Sequence, residues 1–298
     1  MIIKPETLKK GDTVGFIATS GDIKDFSKLE KAKEEFEKAG FKVKISETAK
    51  KRKDYLSGTD EERAAAFNEF FKDAEIKAIV AARGGYGAIR ILDKLDYSAV
   101  QSNPKIFVGY SDITALSLMI YKKTGLVTYS GAMAYSDFGC GISEYTKNSF
   151  FDVLENDKEE ITIDTPKVYH SGISSGVLWG GNLSTIQSLC GLEFIPDEKF
   201  IFITEDINEP VYKIDKMFTQ LLNIQKFKQN LTGIVLGDFS GLDNEIYFTN
   251  FLNGLSNELK IPVISGIKFG HEKDKQTVPI GVPSFLDTQT GKIFITKP

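Results

Sequence analysis

The first half of the chain alternates short apolar segments with longer amphipathic ones. In Phe26–Ala39, for example, apolar residues recur every three or four positions, and lysine and glutamate fill the rest, as in a helix at a protein surface. Strands that alternate with such helices form a parallel sheet covered by helices, so we expect an α/β domain. The predicted strands are Thr13–Ala18, Phe41–Ile45, Ile76–Ala81 and Lys105–Gly109.

Local signals mark the other helices of this half. Thr59 and Glu62 have the spacing of a capping box, which predicts a helix that continues through Phe71. Two more helices are predicted over Ile113–Lys122 and Ser143–Glu155, and the glycine- and serine-rich stretch before the second one predicts a long loop.

The pattern changes beyond about residue 165, where short strands are separated by glycine-rich turns. We therefore expect two domains: an α/β domain over residues 1–165, and a smaller, β-rich α+β domain over residues 166–298. The strands predicted for the second domain are Phe200–Thr204, Gly233–Leu236, Pro262–Ile264, Val278–Ile280 and Lys292–Thr296.

Composition narrows the classes of function. The chain has 298 residues, a net charge of -4 and a pI of about 5.5, so it lacks the positive field that holds a nucleic-acid backbone. Neither a signal peptide nor a segment long enough to span a bilayer is evident. Cys140 and Cys190 have no zinc or disulfide spacing, and we expect a cytoplasmic protein without metal or cofactor.

Ser111 is the first candidate for chemistry. It lies at a predicted turn from strand to helix, the position that exposes a nucleophilic hydroxyl at the end of a sheet. The free N–H groups at the start of the helix could also stabilise an oxyanion. Serine is equally favoured there as a helix N-cap, so the context alone leaves both interpretations open.

A nucleophilic serine needs a base and an orienting carboxylate. The chain has only two histidines. His271 lies in a polar turn after a predicted strand, whereas His170 lies in the predicted interdomain segment and is interpreted as structural. Glu205 follows the predicted strand Phe200–Thr204 and could orient the imidazole, while Asp206, on the opposite face, could instead cap the next helix.

Two glycine-containing segments are further candidates. Arg83–Gly87, which we call the glycine turn, could supply oxyanion donors beside Ser111, cradle a phosphate, or be only a tight connection. Neither a Walker motif nor a dinucleotide-binding glycine pattern is present. Trp179, flanked by glycines, could line a pocket or belong to the core.

Six short motifs follow one another along nearly the whole chain. In order, they are Leu8-Lys9-Lys10-Gly11-Asp12, Ala82-Arg83-Gly84-Gly85-Tyr86-Gly87, Gly109-Tyr110-Ser111-Asp112, Gly180-Gly181-Asn182-Leu183, Thr204-Glu205-Asp206 and Phe269-Gly270-His271. Together these motifs resemble the serine LD-carboxypeptidase family, which includes murein tetrapeptide carboxypeptidases and microcin C self-immunity peptidases. One departure is Ala18-Thr19-Ser20-Gly21, where the family commonly has a proline before its serine.

The resemblance implies a role for each catalytic residue. Ser111 would be the nucleophile, His271 the base and Glu205 the residue that orients the base. The family also implies a cleft between an α/β domain and a β-rich domain, and a homodimer.

Chemistry adds the remaining site residues. The backbone N–H groups of Asp112 and of Gly84 or Gly85 would receive the oxyanion. Three side chains are candidates for contact with the substrate, namely Arg83, Tyr86 and Trp179.

The resemblance thus implies a serine peptidase that removes the terminal D-amino acid from murein tetrapeptides during cell-wall recycling, through an acyl-enzyme. The alternative within the family is an immunity-type peptidase that hydrolyses aminoacyl or peptidyl nucleotides. A third hypothesis is a non-catalytic two-domain binding protein. A cysteine-dependent amidotransferase fits less well, because neither Cys140 nor Cys190 follows a strand-to-helix turn near a histidine.

Overall fold

The computed structural model describes residues 1–156 and 158–296. The chain divides into two compact units. Unit 1 comprises Met1–Asp157 with Thr277–Pro279, and unit 2 comprises Lys158–Gln276 with Ile280–Pro298. No helix in the described ranges is both long enough and apolar enough to cross a membrane.

The first unit is built on a six-stranded sheet in the order β12-β5-β4-β3-β1-β2. The pairs among β1 to β5 are all parallel, so the predicted α/β fold is confirmed. The strands are β1 (Thr13–Ile17), β2 (Lys42–Ile45), β3 (Ile76–Ala81), β4 (Ile106–Val108), β5 (Thr128–Ser130) and β12 (Val278–Ile280). The helices are α1 (Phe26–Lys38), α2 (Asp60–Lys72), α3 (Tyr97–Ser102), α4 (Thr114–Thr124) and α5 (Glu144–Glu155).

The helix boundaries follow from side-chain caps. The predicted capping box is present at α2, where Thr59 and Glu62 each accept a hydrogen bond from the other's backbone N–H. Ser143 caps α5 by accepting from the backbone N–H of Thr146. These caps fix where the helices begin relative to the strand ends, and therefore where the intervening turns project.

A buried arginine supports the turns that follow β1 and β3. The side chain of Arg63 on α2 is fully buried, and it donates hydrogen bonds to the carbonyl oxygens of Thr19 and Gly87. It also pairs with Asp60. Arg63 thereby satisfies carbonyl groups of two turns at the same edge of the sheet.

We expect Arg63→Met to lower the free energy of unfolding by about 3 to 5 kcal/mol, because it leaves buried carbonyl groups without a donor. Arg90→Met is the matched control, since half-exposed Arg90 pairs with the same Asp60. Denaturant unfolding of both variants checks the prediction. Equal losses of stability in the two variants would show that the loss arises from the broken pair with Asp60 and not from the unsupported turns.

The second unit contains an eight-stranded mixed sheet in the order β6-β14-β13-β8-β9-β10-β11-β7. Its central strands β8 to β11 are parallel, and the outer pairs are antiparallel. The strands are β6 (Glu160–Thr162), β7 (Lys167–His170), β8 (Ile173–Asn182), β9 (Phe200–Ile207), β10 (Leu231–Ser240), β11 (Val263–Ser265), β13 (Val282–Asp287) and β14 (Lys292–Ile295). The helices are α6 (Leu183–Ser188), α7 (Val211–Leu222), α8 (Gln225–Asn230) and α9 (Glu245–Leu259).

Several differences from the sequence-based assignment bear on the site. β9 continues to Ile207, so Glu205 and Asp206 lie within the strand and not beyond its end. β8, whose glycines hid it from the strand pattern, pairs with β9 on one side and β13 on the other. His170 lies in β7 and not in an interdomain segment.

Candidate active site

Ser111 lies where β4 passes into α4, as predicted. Its φ of 61° is a left-handed conformation that is uncommon outside glycine. Ser111 begins a short 3₁₀ turn over Ser111–Ile113, and the residue before α4 is Ile113, with no side-chain cap. The N-cap interpretation of Ser111 is therefore wrong, and the strained backbone is instead typical of a nucleophile turn between strand and helix.

The glycine turn comes close to Ser111. A Cβ atom on Gly84 would lie 3.0 Å from the Ser111 Cβ and 3.1 Å from its Oγ, so only glycine lets the backbone approach this closely without displacing the serine. The same position is 3.4 Å from the backbone nitrogen of Asp112. The structure thus brings together three of the residues predicted for oxyanion binding and nucleophilic attack, namely Gly84, Ser111 and Asp112.

The side chain of Asp112 makes contacts that the sequence did not reveal. Its Oδ2 accepts a hydrogen bond from Ser20 Oγ at 2.5 Å and another from the backbone N–H of Ala88 at 2.9 Å. Burial raises the pKa of this carboxyl, and these hydrogen bonds oppose the rise. The sequence pattern points only to the backbone N–H of Asp112.

In the second unit, Glu205 and His271 form a hydrogen-bonded pair. Glu205 Oε2 lies 2.8 Å from His271 Nδ1, and the two side chains are 2% and 18% exposed. Burial raises the pKa of Glu205, and the hydrogen bond and charge of His271 oppose the rise. An ionised Glu205 can only accept, so in the neutral ring beside it the proton is on Nδ1 and Nε2 carries the lone pair of a base. A carboxylate that accepts from Nδ1–H of an imidazole orients the ring, which is one of the contacts that a Ser-His-acid triad requires.

The turn that carries His271 depends on its glycine. Gly270 has a φ of 138°, and a Cβ at this position would lie 2.8 Å from Glu205 Oε2. The backbone N–H of Asp238 on β10 donates to the carbonyl oxygen of Phe269 at 2.8 Å and fixes the start of the turn. Close approach of backbone to carboxylate therefore sets the position of the imidazole.

Asp206 has a structural role, although not the predicted one. It accepts hydrogen bonds from Asn182 Nδ2 at 3.1 Å and from the backbone N–H of Ser184 at 2.8 Å. Asp206 therefore stabilises the start of α6, the helix before β9, and not the helix after it. The cause is the pairing of β9 with β8. It places Asn182, the N-cap of α6, opposite Glu205, the residue before Asp206.

The three candidates for substrate contact lie in different surroundings. Tyr86 is 47% exposed, and Arg83 is half-buried, with Nη1 donating to the carbonyl oxygen of Asp22. Trp179 is fully buried. Its prediction as a pocket residue is wrong, because it packs in an aromatic cluster of the second unit with Phe194, Phe200, Phe202 and Phe227.

The described residues contain no group of three or more histidine, cysteine, aspartate or glutamate side chains placed to hold a metal ion.

The surroundings of His271 shift the pKa of its imidazole. Burial lowers the pKa of the imidazole, but the hydrogen bond and negative charge of Glu205 outweigh it, so the pKa lies above the ordinary value of 6.5. Asp238, whose backbone N–H donates to Phe269 two residues before His271, is a second titrating group, because burial and the charge of Glu272 raise its pKa to about 6.

We expect the His271 imidazole to titrate above pH 6.5 and to shift to lower pH in Glu205→Gln, which removes the charge and leaves the burial. Imidazole NMR resolves this directly, because the chain has only two histidines and His170→Gln assigns them. Asp238→Asn separates the titration of that carboxyl from the histidine curve. A His271 pKa that does not respond to Glu205→Gln would contradict this electrostatic account.

Comparison with known proteins identifies the family of the chain. Residues 14–131 match the LD-carboxypeptidase N-terminal domain, and residues 175–286 match the LD-carboxypeptidase C-terminal domain. The chain is 37% identical to the probable murein peptide carboxypeptidase of Bacillus subtilis, over 96% of this chain and 92% of the relative.

Two solved structures have the same fold. The muramoyltetrapeptide carboxypeptidase of Oxalobacter formigenes superposes with a TM-score of 0.84 at 32% identity, covering 95% of this chain and 100% of that one. The microcin C7 self-immunity protein MccF of Escherichia coli, solved in complex with aspartyl sulfamoyl adenosine, superposes with a TM-score of 0.90 at 28% identity, covering 99% and 98%.

The chain is thus a serine-type carboxypeptidase, a hydrolase. It belongs to the LD-carboxypeptidase family, as the sequence resemblance indicated.

Proposed function

We propose that this enzyme removes the terminal D-amino acid from murein tetrapeptides, using Ser111 as nucleophile, His271 as base and Glu205 as the residue that orients the base. The observation that carries the proposal is the hydrogen bond between Glu205 Oε2 and His271 Nδ1, which leaves Nε2 as the basic nitrogen. The left-handed backbone of Ser111 beside Gly84 supports the assignment of the nucleophile.

The chemistry follows from these groups. Neutral His271 takes the proton of the Ser111 hydroxyl as its oxygen attacks the scissile carbonyl. Backbone N–H groups of Asp112 and of Gly84 or Gly85 donate to the oxyanion, and Glu205 stabilises the imidazolium. His271 then protonates the leaving amine of the D-amino acid, and water hydrolyses the ester to Ser111.

The substrate class rests on two relatives that are named for muropeptides, one from Bacillus subtilis and one from Oxalobacter formigenes. Arg83 is a candidate to pair with a substrate carboxylate, and exposed Tyr86 is a candidate for apolar contact. We further infer a homodimer that acts in cell-wall recycling in the cytoplasm, where the free thiols of Cys140 and Cys190 are stable.

A second candidate is an immunity-type peptidase that hydrolyses aminoacyl or peptidyl nucleotides. The solved complex of MccF with aspartyl sulfamoyl adenosine favours it. A paired assay separates the two: a murein tetrapeptide with detection of free D-alanine, and an aminoacyl sulfamoyl adenosine with detection of the free amino acid. We expect D-alanine release, whereas hydrolysis of the nucleotide alone would favour the second candidate.

A further inference from the structure

Three turns meet at the edge of the first sheet that carries Ser111. They follow β1, β3 and β4 and contain Ser20, the glycine turn and Ser111. Asp112 bridges all three, because its backbone follows Ser111 while its Oδ2 accepts from Ser20 Oγ and from the backbone N–H of Ala88. The side chain is nearly inaccessible to solvent. Strong hydrogen bonds to a buried carboxylate make a stiff connection.

The contact to Ala88 matters because Ala88 directly follows the glycine turn. Gly85 and Gly87 have φ values of 119° and 129°, and a segment with several glycines has many alternative conformations unless it is anchored. The carboxylate supplies an anchor at the end of this turn, one residue from Gly87. It ties the turn to the residue next to Ser111.

We propose that the Asp112 carboxylate is a positioning residue that holds the glycine turn at the distance from Ser111 that oxyanion binding requires. Preformed oxyanion donors lower the barrier because they need no rearrangement during the reaction. The inference rests on the proposed function, since it assumes that Ser111 is the nucleophile. It assigns the Asp112 side chain a task separate from that of its backbone N–H.

The geometry predicts which substitutions preserve the connection. One oxygen accepts both hydrogen bonds, so the amide oxygen of Asp112→Asn can keep them. Asp112→Ala removes both, and Ser20→Ala removes one. The rate should therefore follow the number of hydrogen bonds retained and not the charge.

The test is the second-order rate constant for labelling of Ser111 by a fluorophosphonate, whose phosphoryl oxygen uses the oxyanion donors whatever the natural substrate is. We expect Asp112→Ala to react about 100-fold more slowly than the wild type. Ser20→Ala should lose about tenfold, and Asp112→Asn should stay within about tenfold of the wild type. With a peptide substrate, kcat should fall in the same order while KM changes little.

Thermal unfolding of each variant checks that the labelling rates were measured on folded protein. Ser20→Ala tests the positioning role of Asp112 even if Asp112→Ala does not fold. Labelling of Asp112→Ala or Ser20→Ala at the wild-type rate would overturn the inference. So would equal loss in Asp112→Asn and Asp112→Ala, because the effect would then follow charge. Absence of Ser111 labelling in the wild type would instead refute the proposed nucleophile.

Discussion

Ser111→Ala is expected to lower kcat for release of the terminal D-amino acid by at least about 10⁴-fold, with little change in KM. The substitution removes the hydroxyl oxygen that forms the ester of the acyl-enzyme. It leaves the oxyanion donors and the substrate-binding groups in place, so binding should persist. Steady-state kinetics on a murein tetrapeptide measure both constants.

Ser143→Ala is the matched control for this prediction. Ser143 caps α5 in the same unit, so its loss should cost about 1 kcal/mol of stability and leave kcat unchanged. Turnover by Ser111→Ala at more than a few per cent of the wild-type rate would rule out Ser111 as the nucleophile.

His271→Gln is expected to lower kcat by about 10⁴-fold or more, because the proposed mechanism assigns to this imidazole the transfer of the serine proton to the leaving amine. Glutamine keeps a polar side chain of similar length next to Glu205, which limits structural damage. The other histidine provides the control, since His170→Gln in β7 should leave kcat and KM unchanged.

Rates for both histidine variants at several pH values complete the comparison. A large loss in His170→Gln together with a small loss in His271→Gln would reverse the proposed assignment.

Much of the first unit follows from sequence pattern. Buried parallel strands are nearly continuous apolar runs, and the helices between them have clear periodicity and caps, as in Ile76–Ala81 and the Thr59 capping box. The position of Ser111 at a strand-to-helix turn also follows from the pattern. Its positive φ, which distinguishes a strained turn from a cap, depends on tertiary packing and has no sequence signal.

The second unit was harder to predict. β8 contains Gly176, Gly180 and Gly181, which interrupt the expected alternation, so the sequence pattern predicts no strand there. Asp206 supports α6 and not α7 because β9 pairs with β8. The register between paired strands depends on long-range contacts, so local sequence does not predict it.

The polar groups that support the site were missed for a related reason. Ser20 and Asp112 are 92 positions apart along the chain, and Arg63 on α2 is 44 positions from Thr19, to whose carbonyl oxygen it donates. Only folding of the parallel sheet brings these residues to one edge. Local sequence does not indicate which partners a buried polar side chain will contact. A buried arginine on an amphipathic helix is indistinguishable from an exposed one until packing is known.

Active-site titration with a fluorophosphonate, followed by peptide mapping, decides whether Ser111 is the nucleophile of this serine carboxypeptidase. We expect D-alanine release to fall to zero as one equivalent is incorporated, with the adduct on Ser111. Full activity after incorporation, or loss of activity with the adduct on another residue, would contradict the assignment of Ser111.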